Sequence, residues 1–194
     1  MSENIRSVVL AGVGGQGILL ASEVVARTAL VAGHRVKTNQ VHGMAQRGGS
    51  VIAQIRYGAQ VHSPLVEEGT ASVLCALERI EAIRFAHYLA PGALAVVNSQ
   101  SIVPVTVSTG AASYPDDAPQ TLARLFARLV CFDATEVARR LGNVRAANIV
   151  LLGALSPELD LPREAWLAAI RQSVKPQFVD LNLAAFGKGI ELRA

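Results

Sequence analysis

Residues 7–11, Ser-Val-Val-Leu-Ala, form a short uninterrupted apolar run, and the cluster Gly12-Val13-Gly14-Gly15-Gln16-Gly17 follows at once. A run of that length suits a strand buried on both faces of a parallel sheet. The apolar segment from Ile18 to Ala32 predicts a helix, and Gly33 is a good stop for it. His34 to Lys37 restart as a second strand. Strand, glycine loop, helix and strand within about thirty residues make a βαβ unit. No other feature constrains the chain as strongly, because such a unit commits it to helices layered on a mainly parallel sheet.

The remaining pattern agrees with that layout. Residues 39–50 are polar, glycine-rich and aperiodic, which predicts a loop. Val51 to Tyr57 reads as a strand, with Gly58-Ala59-Gln60 turning it into a short partner that ends near His62 and is stopped by Pro64. Ala71 to Ala76 and Ala93 to Val97 read as buried strands, the second ending at Asn98, with a helix over Glu78 to Leu89 and a turn at Pro91-Gly92 between them. Residues 99–118 are irregular, with a brief strand over Val103 to Val107. A helix over Gln120 to Arg128, a strand over Leu129 to Phe132 and a helix from Asp133, its cap, to Leu141 follow. Asn148 to Leu155 predicts a central helix, Pro162 to Val174 a helix with Trp166 on its buried side, and Pro176 to Gly189 a short docked helix. There is no linker, repeat or low-complexity tract, so residues 1–194 read as one domain. The expected fold is α/β and Rossmann-like, a mainly parallel sheet flanked by helices with one antiparallel hairpin at 51–62.

Composition narrows the function classes. Apolar residues make up 51% of the 194 residues and charged residues only 17%, against roughly 25% charge in ordinary soluble domains. That excludes disorder and predicts an apolar face covered by a partner. The longest apolar stretch, Ile18 to Ala32, contains Glu23 and Arg27 and falls short of the ~20 residues a membrane span needs. Met1 to Arg6 is polar, so no signal peptide is expected. Cys75 and Cys131 both sit in apolar runs and read as buried free thiols of a reducing, cytoplasmic compartment. Two thiols cannot bind a four-cysteine iron–sulfur cluster. The net charge of +3 is scattered at helical spacing rather than clustered with aromatics, which argues against nucleic acid.

Two loops carry the chemistry. Gly12-x-Gly14-x-x-Gly17 after a strand and before a helix fits a phosphate cradle, in which backbone N–H groups and a helix N-terminus face an anion. The acidic residue expected about twenty positions on to hold a ribose is absent; Lys37, Thr38 and Asn39 stand there, which argues against NAD. Lys37 alone is weak support for a 2′-phosphate. In the second loop, Arg47 before Gly48 and Gly49 suits an anion nest with a guanidinium beside it, with His42, Gln46 and Ser50 as neighbouring polar groups. Both loops leave strands at one sheet edge and are expected to line one crevice. Gly12, Gly14, Gly15, Gln16, Gly17, His42, Gln46, Arg47, Gly48, Gly49 and Ser50 are therefore the candidate cofactor-binding residues. No metal spacing surrounds His42, no serine sits in a nucleophile elbow, and Asp116-Asp117 reads as a solvated turn. No catalytic residue is identified.

Gly-Val-Gly-Gly-Gln-Gly-Ile at 12–18 and His-Gly-Met-Ala-Gln-Arg-Gly-Gly-Ser-Val at 42–51 resemble the gamma-type domain of the 2-oxoacid:ferredoxin oxidoreductases, most closely the indolepyruvate type. Tyr57 with Ser63-Pro64-Leu65, Asn148 to Ser156, and Asn182 to Phe186 with Gly189 extend the likeness over nearly the whole chain. The resemblance implies a complex that decarboxylates a 2-oxo acid on thiamine diphosphate. Electrons pass through iron–sulfur clusters to ferredoxin, and the acyl group passes to coenzyme A. Thiamine diphosphate, magnesium and the clusters are expected on a larger partner subunit, in a heterodimer or heterotetramer, with none held by this chain alone. The resemblance implies an acidic residue at the position of Gln40, and here Asn39-Gln40 is uncharged; that leaves the aryl substrate open, with indolepyruvate the default and phenylpyruvate-like or phenylglyoxylate-like acids the alternatives. The two glycine loops would face the subunit junction or a coenzyme A phosphate. A free-standing NAD(P)- or nucleotide-binding protein and a purely structural assembly subunit are the alternatives.

Overall fold

The computed structural model describes residues 5–42, 48–102 and 117–193. Among these residues, six strands form one sheet: β1 (Arg6–Val13), β2 (Arg35–His42), β3 (Ser50–Gly58), β4 (Ala71–Ala76), β5 (Leu89–Asn98) and β6 (Arg128–Phe132), in the order β2-β3-β1-β4-β5-β6. β1, β4, β5 and β6 run parallel, while β3 runs antiparallel to both its neighbours, β1 and β2. The helices are α1 (Ile18–Val31), α2 (Arg79–Arg84), α3 (Ala118–Leu125), α4 (Ala134–Arg140), α5 (Ala147–Leu155), α6 (Arg163–Ser173) and α7 (Val179–Glu191).

Apart from the edge strand β2, the strands are apolar on both faces because their side chains alternate between two cores. Val8 and Leu10 of β1 pack with Ile18, Ile149, Leu152, Trp166 and Phe186. Val9 and Ala11 pack on the opposite face with Leu122 and Phe126. The first face carries α1 and α4 to α7, the second the smaller layer of α2 and α3. α5 is the central helix. All of Asn148 to Leu155 is buried, as an all-round apolar helix must be. α7 crosses it at backbone contact: a Cβ on Gly153 would collide with the carbonyl oxygen of Phe186, and one on Gly189 with that of Val150.

Several elements differ from the sequence reading. The antiparallel hairpin is β2–β3, not residues 51–62. Both edges of β3 are taken by β1 and β2, so residues 59–62 have no edge to pair with. The chain beyond is instead tied across β3 by side chains. Arg56 donates from Nη1 to the carbonyls of Ser63 and Leu65, each at 3.1 Å, and Gln54 Oε1 accepts from the Val66 N–H at 3.2 Å. β2 continues through Asn39 to His42, so these residues are strand where loop was expected; pairing along β3 outweighs their polar composition. The helix expected over Glu78 to Leu89 is the six-residue α2 plus a 3-10 turn at Ala86–Tyr88. It ends early because Leu89 already pairs with Ala71, and Pro91-Gly92 lies inside β5, where the register with β4 shifts. The tail helix is the thirteen-residue α7. Val103 to Val107 lie outside the described residues. Cys75 is buried, and burial pushes its thiol up to about 12. Cys131 is exposed, on the edge strand β6.

The C-terminal end is locked by one carboxylate. Glu158 accepts from Arg128 Nη1 and Nη2 at 2.7 and 3.0 Å and from Arg193 Nη2 at 2.5 Å. This joins the start of β6 to the residues after α7. The Arg128 hydrogen bonds, followed by those of Arg193, hold the Glu158 carboxyl below its ordinary range.

Two outcomes follow for stability. Gly153→Ala or Gly189→Ala forces α5 and α7 apart and is expected to cost about 3 kcal/mol or more, since overpacking against rigid backbone is at the high end of such penalties; denaturant midpoints measure it. A carboxyl depressed in the folded state stabilises above its unfolded pKa and loses that contribution as pH falls through the folded value. Glu158→Gln should therefore unfold at a lower temperature than wild type at pH 7, and the gap should close as the pH drops below about 4.

Candidate functional site

The fold turns in opposite directions after β1 and β4, so the crevice expected in an open α/β sheet lies at their carboxyl ends. A cavity of about 380 Å³ opens there. Leu20, Leu77, Ile102 and Val144 form its apolar wall, and Gln16, Asn98, Gln100, Thr135, Arg145 and Asn148 its polar groups. Arg145 is the one charged side chain on the lining, and among the described residues no carboxylate pairs with it.

The first glycine loop forms one side. Gln16 closes it: its Oε1 accepts from the Val13 N–H at 2.8 Å and its Nε2 donates to the Leu77 carbonyl at 2.8 Å. The Gln16 N–H itself donates to the Val13 carbonyl at 3.1 Å. Gly12 leaves room for this packing, since a Cβ there would stand 2.8 Å from Ile18 and 2.9 Å from Gln16 Oε1. Gly17, at φ +82°, is the N-cap of α1, a left-handed position that favours glycine. Its carbonyl accepts from Asn148 Nδ2 at 3.0 Å. The first residues of α5 thus hold the start of α1.

The other side is built by β5 and α4. Asn98 is buried at the end of β5. Its Oδ1 accepts from the Ala134 N–H at 3.0 Å, filling one of the donors that a helix start leaves open. Its Nδ2 donates to the Leu77 carbonyl at 3.3 Å and to Thr135 Oγ1 at 3.0 Å. Thr135 Oγ1 donates in turn to Gln100 Oε1 at 2.8 Å. The Leu77 carbonyl is therefore shared by the amides of Gln16 and Asn98.

The second loop touches the first directly. The Gly14 N–H donates to the Gly49 carbonyl at 2.8 Å, and Gly12 and Val13 pair with Val51 and Ser50. From there it turns to the α2 side. Ser50 Oγ donates to Glu81, a buried carboxylate that also accepts from Arg84 Nε at 3.1 Å. The two loops are adjacent, yet the cavity draws on Gly15, Gln16 and Gly17 alone among the candidates singled out from sequence. His42 is the last residue of β2. Gln46 and Arg47 lie outside the described residues, and Gly48 and Gly49 form the turn into β3.

Asn98, Gln100, Thr135, Arg145 and Asn148 were not singled out as site residues. Two of them carried a signal: Asn98 ends an apolar strand and Asn148 opens an apolar helix, and an amide at such a boundary marks the rim of a core. The NAD(P) alternative loses its support in the sheet order. β3 lies between β1 and β2, so β2 stands two strand spacings, about 9.6 Å, from the glycine loop's strand. Lys37 sits in mid-strand opposite Arg56 rather than at the carboxyl edge. The N–H groups of Val13, Gly14 and Gln16 are engaged within the protein. The cavity can hold a neutral or anionic group through amides, a hydroxyl and a guanidinium. Among the residues lining it there is no nucleophile paired with a base, and no cluster of metal ligands occurs among the described residues.

Comparison with known proteins adds a consistent picture. The family model described as pyruvate ferredoxin/flavodoxin oxidoreductase matches residues 7–192. The chain is 42% identical over 190 residues to indolepyruvate oxidoreductase subunit IorB of Thermococcus kodakarensis, covering 95% of this chain and 94% of that one. It is 31% identical over 187 residues to ketoisovalerate oxidoreductase subunit VorA of Methanothermobacter thermautotrophicus, covering 94% of this chain and 35% of that larger one. The solved gamma subunit of a keto/oxoacid ferredoxin oxidoreductase from Geobacter sulfurreducens has the same fold, with TM-score 0.72 and 24% identity over 97% of this chain and 98% of that one. So does part of the 2-oxoglutarate:ferredoxin oxidoreductase of Magnetococcus marinus, solved with 2-oxoglutarate, coenzyme A and succinyl-CoA. There the TM-score is 0.72 and the identity 21%, over 100% of this chain and 31% of that one.

The loop geometry makes a specific prediction. Gln16→Ala removes two hydrogen bonds and leaves the Val13 N–H without its acceptor, an expected loss of about 2–3 kcal/mol. Gly17→Ala adds backbone strain and places a Cβ 2.5 Å from Asn148 Nδ2, and should loosen the start of α1. Hydrogen exchange of the first-turn amides of α1, read beside the unfolding midpoint, separates this local opening from global destabilisation.

Proposed function

The chain belongs to the pyruvate ferredoxin/flavodoxin oxidoreductase family, and from that premise we propose that it is the small, cluster-free subunit of an aryl 2-oxoacid:ferredoxin oxidoreductase. Indolepyruvate-like acids are the substrates in this reading, oxidatively decarboxylated to the acyl-CoA. The observation that carries it is the 42% identity to an indolepyruvate oxidoreductase subunit over nearly the full length of both chains. The chain's own residues do not fit the redox groups. A cluster takes four thiolates, whereas this sequence has two cysteines, one buried with its thiol near 12. The lining of the carboxyl-edge cavity offers no carboxylate for a magnesium-bound diphosphate. Thiamine diphosphate, magnesium and the clusters belong to the larger subunit, and ferredoxin meets the complex there.

This chain contributes the two glycine loops, joined by the Gly14–Gly49 hydrogen bond, at the junction with that subunit. Arg47 supplies the positive charge and Gly48 and Gly49 the backbone approach for a coenzyme A phosphate. The bonds of Gln16 and Gly14, which turn loop donors inward, favour a second reading in which the loops only shape the interface.

Co-expression with the larger subunit tests both. The complex should reduce ferredoxin with indolepyruvate in preference to pyruvate, and the isolated chain should not. In the assembled complex, Arg47→Ala should raise the KM for coenzyme A about tenfold, roughly the worth of one charge-assisted contact, with kcat little changed. An unaltered KM with assembly intact assigns the loops to assembly alone.

A further inference from the structure

At the opposite end of β2 from the glycine loops, a cleft of about 640 Å³ is lined by Leu30, His34, Arg35, Lys37, Val61 and His62, among others. Every ionisable side chain on this lining is basic. Arg35 and Lys37 have no carboxylate partner among the described residues. The His34 ring is held against Tyr57, with centroids 5.4 Å apart, and the His34 N–H is tied to the Ala29 carbonyl at 3.0 Å. The cleft also borders a free sheet edge. β2 is eight residues long and pairs with β3 only, so among the described residues its outer side carries no strand. Leu30 and Val31, at the end of α1, are 57% and 50% exposed beside it.

We propose that this edge takes an extended, carboxylate-bearing segment of the larger partner subunit, which adds to β2 as a further strand and places its acidic side chains in the basic cleft. The proposal rests on the reading of this chain as a subunit of a complex. A long open strand edge is a template for pairing, and such pairing supplies main-chain affinity while side chains at the edge choose the partner. Here the choosing charges are positive. They favour an acidic segment and disfavour a second copy of a chain with net charge +3. Leu30 and Val31 offer an apolar anchor at the segment's end. The edge is also continuous with the proposed junction, because β2 runs from Arg35 in the cleft to His42, where the second glycine loop begins.

Hydrogen exchange on the free chain and on the co-expressed complex tests this, beside the double variant Arg35→Glu/Lys37→Glu. Amides of β2 should become strongly protected in the complex. The double variant should associate about tenfold more slowly at low salt, with the salt dependence of association largely removed. A complex that forms while β2 exchanges as in the free chain overturns the docking proposal and leaves the functional reading standing. Protection of β2 in the free chain that rises with its concentration overturns it in favour of a second copy. A wild-type chain that forms no complex with the larger subunit overturns both.

Discussion

The backbone contact between α5 and α7 is the interaction on which the rest of this structure depends. Gly153 and Gly189 let the two helices cross with no side chain between them. That close crossing lets α5 lie flat on β4 and β5, covered by α4 and α7. Its first residues then reach the carboxyl edge of the sheet, where Asn148 holds the Gly17 carbonyl and so the start of α1. A packing constraint in the hydrophobic core thereby sets the shape of a polar cavity. Core packing transmits such displacements because it is dense and little compressible.

The cavity is built from amides rather than charges. Gln16 and Asn98 meet on one carbonyl, that of Leu77, and through it bind the glycine loop to the end of β4 and the start of α4. Such a network is rigid when every member is satisfied. It orients a ligand or a neighbouring chain but supplies no proton donor or acceptor tuned for catalysis. In the proposed reading, the chemistry resides in the partner subunit. Much of the low charge content is explained by a sheet whose inner strands are buried on both faces and by a central helix with no exposed side; of the exposed large apolar residues, Leu30, Val31, Val41 and Leu65 stand on or near the β2–β3 side, whereas Leu125, Val144, Phe178 and Leu192 lie elsewhere.

The elements most legible in the sequence were those whose own pattern suffices. α1 falls where the apolar run between Gly17 and Gly33 places it, and β4 coincides with Ala71 to Ala76. α5 follows from an apolar run that has no polar side. Local reasoning failed where a distant strand decided the outcome. The polar stretch Asn39 to His42 reads as loop, yet it is strand because β3 offers it hydrogen bonds. Residues 59–62 read as a hairpin arm, yet β3 has no edge left to receive them. The site behaved likewise: the glycine loop was legible from spacing, whereas Asn98, Thr135 and Asn148 meet it only through crossovers that join residues 37 to 131 positions apart.

The sequence by itself determined the βαβ start, the layered α/β class, the glycine loops and the family they mark, because these rest on short-range periodicity and on residues with particular backbone freedom. Only the tertiary structure decided that an antiparallel strand separates β1 from β2, that Gln16 turns the loop's donors inward, and that among the described residues β2 is left as a basic open edge. Strand order and hydrogen-bond satisfaction are properties of the whole sheet. Each strand has two edges and each donor one best acceptor, and which neighbour takes them is settled by segments far apart in the chain.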